Sequence, residues 1–211
     1  MPMYYPMMMN ITGRRCVVVG GGKVAERKVA SLLEAGAMVV LMSPAMTPLL
    51  SSMVKSGMIE HVSRRCRTGD LKRAFLCVVA TNDRRLQGRI WKEAKDQGVL
   101  ANIVDSEEDC DFLVPSYFRH GDLVISISTS GKSPALAKRI RKDLEEQYGW
   151  EYEVLLKVLA WARPRILQEV QDPRRRRSIL ERSGHPELLV LVRQSDLESL
   201  PERVWAYLTA S

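Results

Sequence analysis

The stretch CVVVGGGKVAERKVASLLEAG, residues 16–36, decides how the first half of the chain folds. A run of valines leads into three consecutive glycines, and an amphipathic helical pattern follows them. Gly20, Gly22 and Ala25 form the spacing G-x-G-x-x-A between the strand pattern and the helix pattern. The first glycine permits a tight turn, the second lets the backbone approach a pyrophosphate, and the small third residue lets helix and strand pack closely. The spacing therefore predicts a dinucleotide-binding turn.

The residues that would contact the dinucleotide follow from this turn. A helix N-terminus offers unpaired N–H groups and a partial positive charge, which suit phosphates. In a parallel sheet, further contacts come from the carboxyl ends of the neighbouring strands. The candidate cofactor-binding residues are Gly20, Gly21, Gly22, Lys23, Val24, Pro44, Ala45, Ala80, Thr81 and Asn82.

The end of the second strand pattern bears on which dinucleotide binds. An acidic residue usually stands there and bonds the adenosine ribose. Here the stretch MVVLMSPAM, residues 38–46, offers Ser43, Pro44 and Ala45 instead. No arginine follows the strand to receive a 2′-phosphate, which favours NAD over NADP, and no second flavin-contacting segment suggests FAD. We therefore expect NAD, with the missing acid unexplained.

The wider pattern predicts the fold class. Between Arg15 and Val104, apolar runs of about five residues alternate with amphipathic helical stretches, which is typical of parallel strands covered on both faces. Gly36, Gly57 and Gly98 each follow a helical stretch, where a left-handed residue ends a helix. The chain is therefore predicted to begin with an α/β doubly wound parallel sheet of the Rossmann type.

The pattern changes after residue 105. Residues 112–129 read as two strands joined by a short turn, and Ser133 with Pro134 predicts the start of a helix. From Trp150 onward the pattern is helical, and Pro164 is expected to kink or divide the first helix there. A small α+β unit and a helical C-terminal region should therefore follow the sheet.

Composition excludes several classes of protein. The chain has 211 residues, of which 45% are hydrophobic and 27% charged, so it can bury a core. No apolar stretch is long enough for a membrane span and the N-terminus lacks the features of a secretory signal, so we expect a cytoplasmic protein that does not bind membranes. The four cysteines and three histidines are dispersed, which predicts reduced thiols and no bound metal.

The excess of basic residues leaves the class of partner open. Lys and Arg number 32 against 25 acidic residues, for a net charge of +7, which suits either nucleic acid or a polyanionic small molecule. The run 174–177 consists of four arginines without interleaved aromatic residues. A solvated helix face is the favoured interpretation of this run, and no nucleic acid partner is expected.

Several motifs together resemble the precorrin-2 dehydrogenases of sirohaem synthesis, which are related to the N-terminal half of the multifunctional sirohaem synthases. The matching stretches, in chain order, are GGGKVAERK at 20–28, ATND at 80–83, ANIVD at 101–105, FLVPS at 112–116 and ISTSGKSPALAKRIR at 127–141. The resemblance runs from about Tyr5 to Glu146, and the remainder matches only as a helical tail.

The resemblance implies both an architecture and an activity. It implies an NAD-binding domain over residues 1–112, a dimerisation domain over 113–147 and a helical domain over 148–211, assembled as an intertwined homodimer. It implies that NAD takes a hydride from precorrin-2 and that protons leave, which gives sirohydrochlorin. Some members of the family then insert ferrous iron into that product. A non-catalytic NAD-sensing domain remains the alternative, although it accounts only for the first hundred residues.

The resemblance also assigns roles to polar residues beyond the cofactor turn. Asp105 matches the aspartate of the family's NVVD-like motif and is the candidate catalytic residue, as a base, as an orienting group or as an acceptor of pyrrole protons. An aspartate that merely turns the chain after a strand is the other interpretation. Thr129, Ser130 and Lys132 are the candidate contacts to the carboxylates of the tetrapyrrole, although a capped loop would use the same residues.

Overall fold

The structure is a computed structural model that describes residues 4–106 and 108–210. The chain divides into two compact units, residues 1–114 and residues 115–211. The expected division into three domains, with boundaries after residues 112 and 147, stays a prediction. None of the helices formed by the described residues combines the length and the apolar character that a membrane crossing requires.

The first unit is built on a parallel sheet of five strands, and its elements follow the alternation predicted from the sequence. The strands are β1 (Arg15–Val19), β2 (Met38–Met42), β3 (Glu60–Val62), β4 (Leu76–Val79) and β5 (Leu100–Ile103). The helices are α1 (Lys23–Glu34), α2 (Pro48–Lys55) and α3 (Arg84–Gln97). The strand order is β3-β2-β1-β4-β5, so the direction of winding reverses between β1 and β4. A doubly wound sheet binds ligands at this reversal, outside the carboxyl ends of its strands.

Burial on both faces of the sheet explains why these apolar runs form strands. Along β1, Val18 packs in a core with Val29 of α1, whereas its neighbour Val17 packs in a separate core with Ile90 of α3. Side chains alternate between the faces of a strand, so a central strand with a helix on each side must be apolar throughout. The predicted α/β fold class is therefore confirmed.

The second unit begins with a small antiparallel sheet. Strands β6 (Ser116–His120) and β7 (Leu123–Ile127) pair from Ser116 opposite Ile127 to His120 opposite Leu123. The helices that follow are α4 (Pro134–Gln147), α5 (Glu151–Glu169), α6 (Pro173–Arg182), α7 (Glu187–Gln194) and α8 (Leu200–Thr209). Ser133 caps α4 by accepting a hydrogen bond from the Leu136 N–H at 3.2 Å, as its sequence position predicted.

Helices α5 to α8 share one apolar core, and this core overrides the local effect of a proline. Of the two effects expected of Pro164, division of the helix is wrong, because α5 continues through that residue, whereas a kink stays a prediction. Ala162 and Ile166 lie on either side of Pro164 and are fully buried among the other helices. Their packing offsets the roughly 3 kcal/mol that an interior proline costs a helix.

Candidate active site

Two glycines of the turn after β1 lie in backbone contact with other loops of the first unit. Gly20 has φ of 118°, and a Cβ atom there would lie 2.1 Å from the carbonyl oxygen of Ala80. A Cβ atom on Gly21 would lie 1.9 Å from the carbonyl oxygen of Ala45. No side chain fits at such distances, so glycine is required at both positions. The loops after β1, β2 and β4, which carry most of the predicted cofactor contacts, therefore meet at the reversal of the sheet.

Backbone hydrogen bonds hold this junction in place. The N–H of Gly20 donates to Met42 at 3.0 Å, and the N–H of Ala80 donates to Val19 at 2.7 Å. The carbonyl of Gly21 accepts a hydrogen bond from the N–H of Thr47 at 3.0 Å. The turn is thus ordered by its neighbours, which is what a backbone-lined phosphate site needs.

The third glycine differs from the other two because space lies in front of it. Gly22 is the N-cap residue of α1 and is exposed, no side chain caps this helix end, and a Cβ atom on Gly22 would meet nothing within 4 Å. Among the residues that the structure describes, no side chain caps the N–H groups at the start of α1. This open, uncapped cradle at the N-terminus of a 12-residue helix fits the pyrophosphate of a dinucleotide.

Charged groups on the first turn of α1 form a small network. Lys23 pairs with Glu26 at 3.0 Å, and Glu26 also accepts a hydrogen bond from the hydroxyl of Thr47 at 2.5 Å. The Thr47 hydrogen bond, followed by that from Lys23, lowers the pKa of Glu26. Lys23 and its neighbour Val24 lie on the first turn as expected, and Lys23 is exposed with its amine available for a second anion.

Ser43, the first residue after β2, is turned towards the protein interior. Ser43 is buried, and its hydroxyl donates to the carbonyl of Ala45 at 2.5 Å. Its carbonyl oxygen lies 2.9 Å from Nε2 of His61, which must carry the proton because a carbonyl only accepts. Ser43 therefore does not replace the missing acid, and Pro44 and Ala45 are the residues exposed at this rim. The His61 contact was not found from the sequence, because it joins a residue of β3 to the segment after β2, 18 positions away.

Hydrogen bonds to α3 hold the segment after β4 in place. The carbonyl of Thr81 accepts a hydrogen bond from the buried side chain of Gln87 at 2.6 Å. Asp83 caps α3 by accepting from the Leu86 N–H at 3.1 Å. Asn82 remains exposed between them, so this predicted cofactor segment presents a polar side chain at the edge of the sheet.

Asp105 lies beyond β5 at the same edge of the sheet. The N–H of Val104 donates to Val79 at 3.0 Å, which places the start of this turn beside the end of β4. Asp105 itself is exposed and adopts φ of 63°, a left-handed conformation that is uncommon for residues other than glycine. Among the residues described by the structure, none forms a hydrogen bond or ion pair with its carboxylate. An aspartate whose carboxylate no described residue engages, beside the cofactor loops, is able to contact a ligand bound there.

The candidate substrate contacts lie in the second unit, in the loop between β7 and α4. The hydroxyl of Thr129 accepts a hydrogen bond from the Ser133 N–H at 3.1 Å. Ser130 has φ of 50°, and its N–H donates to the hydroxyl of Ser128 at 3.1 Å. Lys132 is exposed at the tip of the loop. Thr129 thus orders the loop, whereas Lys132 is free to meet an anion, and the assignment of all three to substrate stays a prediction.

The arginine run at the start of α6 serves mainly local structure. Arg176 donates from Nε and Nη2 to the carbonyl of Val170, at 3.0 and 2.8 Å, and so caps the end of α5. Arg177 pairs with Glu181 at 2.9 Å one helical turn along. Two of the four arginines are therefore engaged within the helical region, and the absence of a nucleic acid partner stays a prediction.

The chain is, by its fold and this site, a Rossmann-type dinucleotide-binding protein. A parallel sheet that reverses between β1 and β4, with a glycine turn and an open helix N-terminus at that point, defines this class. The chain belongs to the putative NAD(P)-binding family, whose model matches residues 7–116. A second model, of the central region of the sirohaem biosynthesis protein, matches residues 120–147.

Relatives and solved structures extend the likeness beyond the first unit. The siroheme synthase of Photorhabdus laumondii is 30% identical over 201 residues, which cover 95% of this chain and 43% of that protein. The siroheme synthase of Nitrosococcus oceani is 36% identical over 179 residues, which cover 85% of this chain and 38% of that protein. The chain thus spans less than half the length of these relatives. The solved structure of SirC, a precorrin-2 dehydrogenase, superposes with a TM-score of 0.80 at 27% identity, over 97% of this chain and 100% of that one.

Proposed function

We propose that this chain oxidises precorrin-2 to sirohydrochlorin with NAD as the oxidant. The likeness to SirC carries the proposal, because it covers 97% of the chain and therefore includes the second unit. An NAD-sensing domain would account for the sheet and its glycine turn but for nothing after residue 114. The match of residues 120–147 to a sirohaem biosynthesis family supports the same choice.

The first unit would hold the cofactor through its backbone. Gly20, Gly21 and Gly22 shape the turn, and the open N-terminus of α1 binds the pyrophosphate. Pro44 and Ala45 border the adenosine side, whereas the loop 80–82 borders the nicotinamide side. Bound NAD supplies the acceptor for the hydride. The protein supplies position and electrostatics, and it does so from loops that are already ordered.

Asp105 would handle a proton that leaves the tetrapyrrole. Asp105 is exposed at the edge of the sheet, and no described residue forms a hydrogen bond with its carboxylate. A carboxylate in that position can accept a proton as the hydride is transferred, or hold a pyrrole N–H in orientation. Either role places Asp105 in direct contact with the substrate.

Charge complementarity supports a polyanionic substrate. Precorrin-2 carries acetate and propionate arms, and the chain has a net charge of +7. In the proposal, Lys132 pairs with one of these carboxylates, and the loop containing Thr129 and Ser130 presents backbone N–H groups to it.

The proposal includes a homodimer. The sheet of β6 and β7 has two strands, so each strand has an outer edge with no strand partner among the described residues. Two-stranded sheets are marginally stable alone, and exposed edges invite pairing with another chain. Light scattering during size-exclusion chromatography tests this point, and a monomeric mass at micromolar concentration would contradict it. Location in the cytoplasm stays a prediction from the sequence.

An anaerobic conversion assay tests the proposed activity. The protein is incubated with precorrin-2 and NAD while the absorbance of sirohydrochlorin and of NADH is followed, with matched reactions that lack NAD or contain NADP. We expect both products to rise together with NAD. Absence of NAD-dependent conversion would overturn the dehydrogenase assignment and favour the NAD-sensing alternative. Ferrous ion added after conversion then shows whether the protein also accelerates metal insertion over the rate without protein.

A further inference from the structure

Cys110 and Asp111, which follow the Asp105 turn in the chain, lie antiparallel to β5. Cys110 forms an antiparallel bridge with Asn102, and the N–H of Asp111 donates to the carbonyl of Ala101 at 2.8 Å. The carboxylate of Asp111 in turn accepts from the N–H of Ala101 at 3.0 Å, and it also pairs with Lys95. Cys110 and Asp111 are therefore anchored on the last strand of the sheet, the strand that leads into the Asp105 turn.

The thiol of Cys110 lies at the centre of this arrangement. Its sulfur lies 3.3 Å from both the N–H and the carbonyl oxygen of Ile103, and 3.1 Å from the carbonyl oxygen of Ser106. The amide of Asn102 approaches the same sulfur at 3.5 Å. A thiol has one proton to donate, so it donates to one of the two carbonyls, the nearer being that of Ser106, while its sulfur accepts from the Ile103 N–H and the Asn102 amide. Ile103 and Ser106 are the two ends of the turn that contains Asp105.

Contacts around the turn hold Asp105 in its left-handed conformation. A φ of 63° is uncommon for residues other than glycine, although aspartate adopts it more readily than most, so contacts that fix the ends of the turn favour it. The backbone closes the turn with one hydrogen bond, from the N–H of Ser106 to Ile103 at 3.2 Å. The hydroxyl of Ser106 adds a bond to Asp109 at 2.9 Å. The sulfur of Cys110 holds both ends at once.

The state of the thiol suits this task. Burial raises the pKa of Cys110, so the sulfur stays protonated at neutral pH and can donate. Reactive cysteines have the opposite property, a lowered pKa. The sequence did not reveal this role, because an isolated cysteine in an acidic loop is typical of a simple buried thiol.

We infer that Cys110 is a positioning residue for Asp105, whose carboxylate it aims through the turn Ile103–Ser106. This inference rests on the proposed function, because Asp105 is the candidate proton acceptor there. Cys110 therefore affects turnover only by positioning Asp105. The thiol itself contacts neither substrate nor cofactor.

The test compares two replacements of the same thiol. Cys110→Val keeps an apolar side chain of similar size but makes no hydrogen bonds, whereas Cys110→Ser keeps a donor and acceptor. We expect Cys110→Val to lower kcat about tenfold, with the Kd for NAD unchanged, because small displacements of a reacting group cost about one to two orders of magnitude in rate. Cys110→Ser should recover most of this loss. Cys66→Val, at a buried thiol in the connection between β3 and β4, is the matched control and should leave kcat unchanged.

A double-mutant cycle separates positioning from general loss of structure. In a background of Asp105→Asn, Cys110→Val should cause no further loss of kcat, because the group that it aims is gone. Additive losses, or a Cys110→Val protein with the kcat of the unsubstituted protein, would overturn the inference and leave the dehydrogenase assignment intact.

Hydrogen exchange supplies a readout that does not need activity. Cys110→Val should speed exchange of the Ile103 and Ser106 amides, while amides of β1 keep their protection. Absence of NAD-dependent conversion by the unsubstituted protein would overturn the proposed function. In that case unchanged exchange at Ile103 and Ser106 would overturn the structural part of the inference as well, and faster exchange would support it.

Discussion

Gly20 and Ala80 pack backbone against backbone, so closely that a Cβ atom at position 20 would lie 2.1 Å from the carbonyl oxygen of Ala80. The contact joins the ends of β1 and β4, the two strands between which the sheet reverses. It is therefore both a packing contact and one wall of the proposed cofactor site, and substitution there should affect both properties.

Gly20→Ala is expected to damage stability and cofactor binding together. The new methyl group collides with backbone, and the φ of 118° is unfavourable for alanine. We expect the free energy of unfolding to fall by more than about 1 kcal/mol, with loss of measurable NAD binding in the variant that remains folded. Urea unfolding and NAD titration by calorimetry measure the two effects. An unchanged free energy of unfolding together with unchanged NAD affinity would show that position 20 has room for a methyl group, contrary to the contact with Ala80.

Gly22→Ala is the contrasting change in the same turn. A Cβ atom there meets no protein atom within 4 Å, and the residue has an ordinary φ of −86°. We expect unfolding free energy to change by less than about 0.5 kcal/mol. The methyl group enters the space assigned to the pyrophosphate, so the Kd for NAD should rise about tenfold, equivalent to about 1.4 kcal/mol. Unchanged affinity would place the dinucleotide elsewhere.

Asp105→Asn isolates the carboxylate from the shape of its turn. Asparagine also tolerates a left-handed φ, so the conformation at 63° should persist. Loss of a general base lowers turnover by about a hundredfold or more, and we expect a loss of that size for precorrin-2 with an unchanged Kd for NAD. Anaerobic turnover and NAD titration check the two parts. Full activity in this variant would remove Asp105 from the catalytic candidates.

Lys132→Gln tests the proposed contact to a substrate carboxylate. The lysine is exposed, so its loss should leave folding and the Kd for NAD unchanged. An exposed ion pair contributes about 1 kcal/mol at most, which predicts a rise of about fivefold in the KM for precorrin-2 with little change in kcat. Lys138→Gln, farther along α4, is the matched control. An equal effect of both changes would indicate a general charge effect rather than a specific contact.

The Arg64–Asp70 pair predicts how stability depends on pH. Arg64 donates two hydrogen bonds to Asp70, at 2.6 and 2.8 Å, and these lower the pKa of Asp70 from 3.8 to about 2 against the opposing effect of burial. A lowered pKa in the folded state contributes stability above the unfolded value, and this contribution disappears as pH falls through about 2.

Asp70→Asn should therefore be less stable than the unsubstituted protein at pH 7, with a difference that shrinks between pH 3.8 and about 2. Urea midpoints measured along this range provide the check. A difference that stays constant with pH would show that the Arg64 contact contributes through packing alone.

Local pattern was enough to predict the first unit. The apolar runs at 16–19 and 76–79 became central strands because a strand buried on both faces has no polar positions. Gly36 and Gly98 ended their helices with positive φ, as expected of glycine after a periodic stretch. Each of these outcomes depends on residues within one turn or one strand of each other.

Prediction failed where packing opposed a local rule. A helix divided at Pro164 was one of the two expected outcomes, yet the buried residues on either side hold α5 together. The role of Ser43 was equally hidden, since its hydroxyl and carbonyl are engaged by Ala45 and His61. The packing around Pro164 and the hydrogen bonds of Ser43 cannot be predicted from the neighbouring residues in the sequence.

The sequence by itself determined the α/β class and the glycine turn, because strand burial, helix capping and glycine geometry follow from short-range spacing. The tertiary structure alone decided the approach of Ala80 to Gly20, the left-handed φ of Asp105 and the brace that Cys110 provides. These features depend on contacts between segments that only folding brings together. A backbone strained by its surroundings cannot be predicted without knowing what surrounds it.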